Sequence, residues 1–155
     1  WMYSIPPKEE DKKLWAEEWS DFLIHWARKN KLHVISLNEI INRHPFNLFS
    51  SKLSSIKLIF ETLVSRKLAK YLDENKTTVR VFWRSLTEWC EVVYRWCIKT
   101  GRMELSLFEI VDDENSVDKI NNLPVEDIKK IIKSMVEKKL AKWIDKKRWA
   151  IKIVL

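Results

Sequence analysis

The densest group of chemically capable side chains in this sequence is basic. Between positions 129 and 152 the chain carries ten lysines and arginines, against only Glu137 and Asp145. Positive charge at this density attracts phosphate groups, whether they belong to nucleic acid or to an anionic membrane surface. A solvated lysine-rich face has the same pattern, so the charge alone leaves three interpretations open. The candidate basic surface consists of Lys129, Lys130, Lys133, Lys146, Lys147 and Arg148.

Reading nucleic-acid bases requires side chains that this segment lacks. The helix predicted for residues 124–139 contains no Arg, Asn or Gln, which form paired hydrogen bonds with guanine or adenine edges. Acidic residues, Glu126, Asp127 and Glu137, lie near its ends. Nucleic-acid binding therefore stays as the alternative function, but sequence-specific DNA recognition is disfavoured.

Side chains suited to catalysis or metal binding are scattered along the chain. His25, His33 and His44 follow no zinc-ligand spacing with cysteine, and no nucleophile neighbours a base in a recognisable motif. The single glycine, Gly101, excludes the phosphate-binding loops of nucleotide-dependent enzymes, which need two or more glycines. We predict a protein that is not an enzyme, with no catalytic residue, metal or cofactor.

Cysteine spacing and hydropathy favour a cytoplasmic location. Cys90 and Cys97 lie seven residues apart on a predicted helix, about 10 Å along its axis. That separation exceeds the roughly 7 Å limit between the Cα atoms of a disulfide, so we expect buried, reduced thiols. No stretch approaches the roughly 18 to 20 apolar residues that span a bilayer.

The chain contains an internal repeat that defines the elements carrying these residues. Residues 56–73 match residues 128–145 at an offset of 72, and residues 18–40 match residues 88–110 at an offset of 70. The chain is therefore one module written twice. Its 155 residues with 46% hydrophobic content are enough for two small cores.

Each module has the pattern of helix, strand, short helix, helix and two-stranded hairpin. Apolar residues at helical spacing, from Trp15 to Trp26 and from Trp89 to Trp96, predict the first helices. This order describes a winged helix, so the predicted fold is α+β, predominantly helical, with two tandem winged-helix modules. The later elements are expected at residues 32–43, 51–67 and 69–83, and at residues 104–111, 124–139 and 141–155.

Helical phase also assigns roles to single residues. The tryptophans that keep this phase, or replace an aromatic residue in the other module, are expected to be core residues: Trp19, Trp26, Trp89, Trp96 and Trp143. Trp149, beside the basic turn, either enters a membrane interface or caps the hairpin. Gly101 follows the second module's first helix, where a left-handed cap is expected.

An extended arm precedes the first module. Trp1, Tyr3 and Ile5 come before Pro6 and Pro7, a pair that favours a polyproline-like path. Such an arm has little to pack against on its own module, so we expect it to dock in a groove on another protein and its deletion to leave thermal stability nearly unchanged. Packing on its own module is the alternative. The predicted domains are the arm at residues 1–8 and winged helices at residues 9–84 and 85–155.

Several motifs resemble the family of the small ESCRT-II subunit, vacuolar protein sorting-associated protein twenty-five, which has eukaryotic and archaeal members. The resemblance covers almost the whole chain in order and implies a non-catalytic tandem winged-helix scaffold. The motifs are the arm Trp1-x-Tyr3-x-Ile5-Pro6-Pro7, the join Phe82-Trp83-Arg84-Ser85-x-x-Glu88-Trp89, and the segment Leu105-Ser106-Leu107-Phe108-Glu109-Ile110.

The resemblance implies an adaptor that acts in protein transport and endosomal sorting, cytoplasmic and peripheral to an endosomal or cell membrane through its complex. The arm, with Trp1, Tyr3, Ile5, Pro6 and Pro7, would dock on larger ESCRT-II winged-helix subunits. Lys8 departs from the aromatic residue that the family usually has after the proline pair. Arg84, at the join, would contact such a partner or fix the angle between modules.

The resemblance also implies that the second module binds the N-terminal helix of an ESCRT-III subunit and starts filament assembly in membrane remodelling. The strand expected on that surface comprises Met103, Glu104, Leu105 and Ser106.

Overall fold

The chain forms two compact units, residues 1–83 and Arg84–Leu155. The computed structural model describes residues 2–155. Among these residues no helix is long and apolar enough to cross a membrane.

The first unit follows the predicted order of elements. A short 3₁₀ helix, Phe46–Leu48, lies between its second and third α-helices. The elements are α1 (Glu9–Lys29), β1 (Val34–Ser36), α2 (Leu37–Ile40), α3 (Lys52–Ser65), β2 (Ala69–Tyr71) and β3 (Thr78–Val81).

The second unit repeats this order. Short 3₁₀ segments, Val117–Asn122 and Lys146–Arg148, lie before its last α-helix and inside its hairpin. The elements are α4 (Leu86–Thr100), β4 (Glu104–Ser106), α5 (Leu107–Asp112), α6 (Val125–Glu137), β5 (Ala141–Asp145) and β6 (Ala150–Ile153). The predicted α+β fold with two winged-helix modules is confirmed.

The sheet of each unit has three strands where the sequence predicted a two-stranded hairpin. In the first unit the strand order is β1-β3-β2, with Ile35 opposite Val79. In the second unit the order is β4-β6-β5, with Leu105 opposite Ile151. All pairs are antiparallel, and the short strand of each module thus completes the sheet of its own hairpin.

Each core forms between the first and last α-helices of its unit and one face of the sheet. Helix α1 packs on α3 and helix α4 on α6. Each fully buried Ile, Leu or Phe contributes about 1.5 to 3 kcal/mol. The largest fully buried side chains are Phe46, Phe60, Leu23, Ile40, Ile56, Ile59, Leu63, Leu105, Ile110, Ile120, Ile128 and Ile132.

The tryptophan prediction is only partly correct. Trp19 and Trp89 are buried, but Trp26, Trp96 and Trp143 are half-buried. The Trp26 ring lies 5.0 Å from the buried Phe46, and the Trp96 ring is covered by the Arg102 guanidinium at 4.9 Å, so these rings contact the fold while part of each side chain stays exposed.

The ends of the helices confirm two details of the repeat. Gly101 ends α4 with φ 73°, the left-handed conformation expected there. Lys67 and Lys139, equivalent residues that follow α3 and α6, also adopt positive φ of 61° and 63°. The two modules therefore leave their last helix along the same backbone path.

Candidate functional site

The described part of the arm packs on the first unit. Trp1 lies outside the described residues. The indole nitrogens of Trp15 and Trp19 donate hydrogen bonds to the carbonyl oxygen of Met2, at 2.8 and 3.0 Å. The backbone N–H of Ser50 donates to the carbonyl oxygen of Tyr3 at 3.0 Å. The expectation that the arm has little to pack against at home is therefore wrong for these residues.

Aromatic contacts strengthen this attachment. The Tyr3 ring lies 5.8 Å from that of Trp19 and 6.2 Å from that of Phe49. Further along the arm, Ile5 and Pro6 are half-buried, whereas Pro7 is exposed.

An open aromatic groove lies beside the arm. Its cavity of about 560 Å³ is bordered by Phe22, which is 42% exposed, and by Met2, which is 51% exposed. The lining residues are Met2, Tyr3, Trp15, Glu18, Trp19, Phe22 and Pro45. Single exposed apolar residues are common, but grouped aromatic rings at a groove are typical of a protein-binding surface.

Arg84 contacts Asp118 and Trp89, two residues of the second unit. Its guanidinium lies 2.6 Å from a carboxylate oxygen of Asp118 and 4.6 Å above the Trp89 ring. The side chains of Arg84 and Asp118 are only 13% and 19% exposed. A partner contact by Arg84 stays a prediction.

The strand expected to face ESCRT-III is mostly engaged in the fold. Leu105 is 1% exposed and belongs to the core. The Ser106 hydroxyl accepts a hydrogen bond from the N–H of Glu109 at 3.3 Å, and the carbonyl oxygen of Met103 accepts one from Ile153 at 2.8 Å. Glu104 is exposed, so it is the member of this strand with the freest side chain.

A larger groove lies next to this strand. Its volume is about 720 Å³, and Phe108, which is 77% exposed, stands at its border. Val111 and Val125 add apolar surface, and Lys147 and Arg148 add positive charge. The lining residues are Ser106, Leu107, Phe108, Glu109, Val111, Val125, Lys147, Arg148, Trp149 and Ala150.

Phe108 was not predicted as a site residue, although the repeat contains a signal for it. At the offset of 70, Phe108 falls on Asn38 of the first module, while its neighbours on both sides match. A large apolar residue at a position that is polar and exposed in the other module indicates a surface specific to the second unit.

The basic residues divide between α6 and the hairpin turn. Lys130 and Lys133 are exposed on the helix. Lys129 lies 3.5 Å from Glu126 and 5.4 Å above the Trp149 ring. The turn residues Lys146, Lys147 and Arg148 are all exposed.

Trp149 caps the hairpin. Its ring meets that of Trp143 edge-on at 5.6 Å, and the side chain is half-buried. Of the two roles proposed for Trp149, the structure shows the packing one.

Among residues 2–155, no histidine or cysteine side chain lines either groove. Residues 2–155 contain no group of three or more His, Cys, Asp or Glu side chains able to hold a metal ion. His25 and His44 are exposed, and His33 is buried and stacked on Trp83 at 4.9 Å. Both cysteines are free and buried, and burial raises the pKa of the Cys97 thiol to about 11.

The sequence profile of the ESCRT-II complex subunit matches residues 2–121. The chain belongs to the ESCRT-II complex subunit family. It is 27% identical over 128 residues to vacuolar protein-sorting-associated protein 25 of Xenopus laevis, covering 75% of this chain and 74% of that protein. The human protein of the same name is 22% identical over 130 residues, covering 76% of this chain and 74% of its own length.

Solved structures of this family share the fold. The crystal structure of subunit VPS25 of the endosomal trafficking complex ESCRT-II superposes with a TM-score of 0.66 at 16% identity. The match covers 99% of this chain and 93% of that one. A chain of the ESCRT-II crystal structure containing VPS22, VPS25 and VPS36 gives a TM-score of 0.61 at 15% identity, covering 99% and 93%.

Proposed function

We propose that the chain is a non-catalytic adaptor of an ESCRT-II-like complex, which docks on larger ESCRT-II subunits and recruits and nucleates ESCRT-III. Membership of the ESCRT-II family supports the first half of this proposal. The complex of VPS22, VPS25 and VPS36 suggests winged-helix subunits of that kind as its partners. Association with an endosomal or cell membrane would follow from the complex.

The first unit is proposed to carry the surface for the other ESCRT-II subunits. Its aromatic groove offers the exposed side chains of Phe22 and Met2. Pro7, at the end of the arm just before α1, is also exposed. Since Met2 and Tyr3 are held by their own unit, the arm would act as a preformed part of this surface, which lowers the entropy cost of docking.

The second unit is proposed to bind the N-terminal helix of an ESCRT-III subunit, and the observation that carries this is the exposed ring of Phe108 at the groove. Phe108, Val111 and Val125 can receive the apolar face of an amphipathic helix. Glu109 and Arg148 on the lining can pair with charges that flank that face. In this proposal the groove replaces the buried Leu105 as the contact surface.

A pair of matched substitutions tests both halves. In Phe108→Ala the affinity for an ESCRT-III N-terminal helix peptide, measured by calorimetry, should fall about thirtyfold, since a central aromatic contact is worth about 2 kcal/mol. Docking on the larger ESCRT-II subunits in pull-down should be unchanged. Phe22→Ala should give the opposite pattern. Equal losses in both assays from either variant, or none, would refute the assignment of surfaces.

Nucleic-acid binding is the alternative outcome. Sequence-specific binding of duplex DNA is not expected, because α6 carries no Arg, Asn or Gln to read base edges. Tight DNA binding with a steep salt dependence, together with no association with ESCRT subunits, would replace the adaptor proposal.

A further inference from the structure

The hairpin of the second unit exposes charge that the proposed partner surfaces leave unexplained. Lys142 of β5 lies directly opposite Lys152 of β6, and both side chains are exposed. Like charges opposite each other weaken an antiparallel pair. An anionic surface lying against the hairpin would attract both lysines and so offset the repulsion between them.

The turn of the hairpin adds three more cations in a fixed conformation. A carboxylate oxygen of Asp145 accepts a hydrogen bond from the backbone N–H of Lys147 at 3.0 Å. Trp149 ends the turn with φ 53° and packs on Trp143. The turn is therefore held in place while the side chains of Lys146, Lys147 and Arg148 stay in water.

Acidic residues balance only part of this charge. Glu104 lies opposite Lys152, and Asp145 lies 3.8 Å from the Arg148 guanidinium. Five basic residues thus face two acidic ones. We call the five basic residues and the neighbouring Ile144 the wing surface: Lys142, Ile144, Lys146, Lys147, Arg148 and Lys152.

Ile144 supplies an apolar component beside the charges. It is 52% exposed, precedes the turn and lies at the irregular step of the β5–β6 ladder. An apolar side chain flanked by cations fits the boundary of a bilayer, where the apolar group enters the acyl region and the cations meet lipid phosphates.

Nucleic acid fits the same residues less well. Stacking of unpaired bases needs exposed aromatic rings, but Trp143 and Trp149 are half-buried against each other. The wing surface offers a single arginine for base edges and no Asn or Gln. We propose that the wing surface binds the anionic lipid headgroups of a membrane directly, without another subunit.

This proposal goes beyond the adaptor function and can fail separately from it. Lys142, Lys146 and Lys152 do not line the Phe108 groove, so their substitution tests lipid contact without altering that groove. Phe108→Ala should in turn leave lipid binding unchanged.

Co-sedimentation of the full chain with vesicles tests the proposal. Binding is expected to phosphatidylcholine vesicles containing phosphatidylserine, to weaken with added salt, and to be absent with phosphatidylcholine alone. Changing Lys142, Lys146 and Lys152 to Gln should lower partitioning on the order of a hundredfold, because each cation near an anionic membrane contributes about fivefold.

Matched variants separate a specific surface from net charge. The exposed lysines Lys52, Lys57 and Lys70 of the first unit, changed to Gln, remove the same charge and should lower partitioning less than about twofold. Ile144→Ser should weaken binding more than Leu53→Ser, because only Ile144 belongs to the wing surface. The two side chains are a matched pair, since they are 52% and 50% exposed.

Three outcomes would overturn the proposal. The first is an equal loss of vesicle binding in the two triple-lysine variants. The second is equal binding to vesicles with and without phosphatidylserine. The third is binding of duplex DNA but not of vesicles, with the DNA binding lost when Lys142, Lys146 and Lys152 are changed to Gln.

Discussion

Arg84 and Asp118 form a shielded ion pair across 34 residues of sequence, with 2.6 Å between guanidinium nitrogen and carboxylate oxygen. Arg84 precedes α4, whereas Asp118 lies in the 3₁₀ segment before α6. The guanidinium also covers the Trp89 ring. The residue at the join between modules thus fastens two parts of the second unit to each other.

Breaking this pair should destabilise the second unit. Asp118→Asn should cost about 3 kcal/mol, because a shielded guanidinium loses its counter-charge. Asn tolerates the positive φ of 47° at this position, so the variant isolates the charge. Urea unfolding measures the loss. A double-mutant cycle with Arg84→Met should show strong coupling, and additive effects would contradict a direct pair.

The first hairpin should depend on pH through Asp73. The Thr77 hydroxyl donates a hydrogen bond to this carboxylate, and the N–H groups of Thr78 and Thr77 donate further ones. These hydrogen bonds, the hydroxyl's first, lower the pKa of Asp73 below its ordinary value. The stabilisation is complete above the ordinary Asp pKa of about 3.9 and is lost as the pH falls through the lowered value.

Thr77→Val should raise the pKa of Asp73 towards its ordinary value, since the largest of these contributions is removed. Carboxyl-carbon NMR titration measures the shift. Thr77→Ser, which keeps the hydroxyl, is the matched control and should titrate like the original chain. Identical titration of Asp73 in all three proteins would exclude the proposed cause.

The buried thiols should be almost inert in the folded protein. With the pKa of Cys97 raised to about 11, about one thiol in a thousand is ionised at pH 8, and burial also blocks reagents. Labelling with a disulfide reagent should therefore follow unfolding. Cys90→Ala and Cys97→Ala, examined separately, assign the rates. Fast labelling under native conditions would show that α4 opens locally.

Regular, local features of this fold could be predicted from the sequence, while long-range features could not. The helical spacing of Trp15, Trp19 and Trp89 reports on neighbours three or four residues away, so it located α1 and α4. Strand β1 was predicted, but its pairing with β3 was not, because β3 comes after α3 in the chain and local patterns do not report on so distant a partner.

The candidate site was predicted less completely for two physical reasons. Met2 is anchored through its carbonyl oxygen, and backbone acceptors leave no trace in side-chain patterns. Leu105 alternates correctly for a strand, but a period of two cannot tell which face meets a partner. Phe108 could be recognised only by comparing the two modules, because the equivalent residue of the first module is the polar Asn38.

Gly101 should be worth about 1 to 2 kcal/mol at the end of α4. Nothing lies within 4 Å of a Cβ placed there, so the cost of Gly101→Ala comes from its φ of 73° alone. Gly101→Asn should cost less, because asparagine tolerates the left-handed conformation. Urea unfolding of both variants checks this order, and equal losses would point to contacts instead of backbone conformation.

The arm should contribute to the stability of the first unit, contrary to the expectation from its sequence. Tyr3→Ala removes ring contacts with Trp19 and Phe49 and should cost about 1 to 3 kcal/mol. Ser4→Ala, which loses only an exposed hydrogen bond to Ser50, is the control and should change stability by less than about 0.5 kcal/mol.

Calorimetry of these two variants should be paired with pull-down of the larger ESCRT-II subunits. If the arm is a preformed part of the docking surface, Tyr3→Ala should lower both the unfolding temperature and docking, because displacing Tyr3 also disturbs the groove at Phe22. Loss of docking at unchanged stability would instead mean that the arm leaves its own unit to bind, and the contacts of Met2 with Trp15 and Trp19 would then be the ones that the partner replaces.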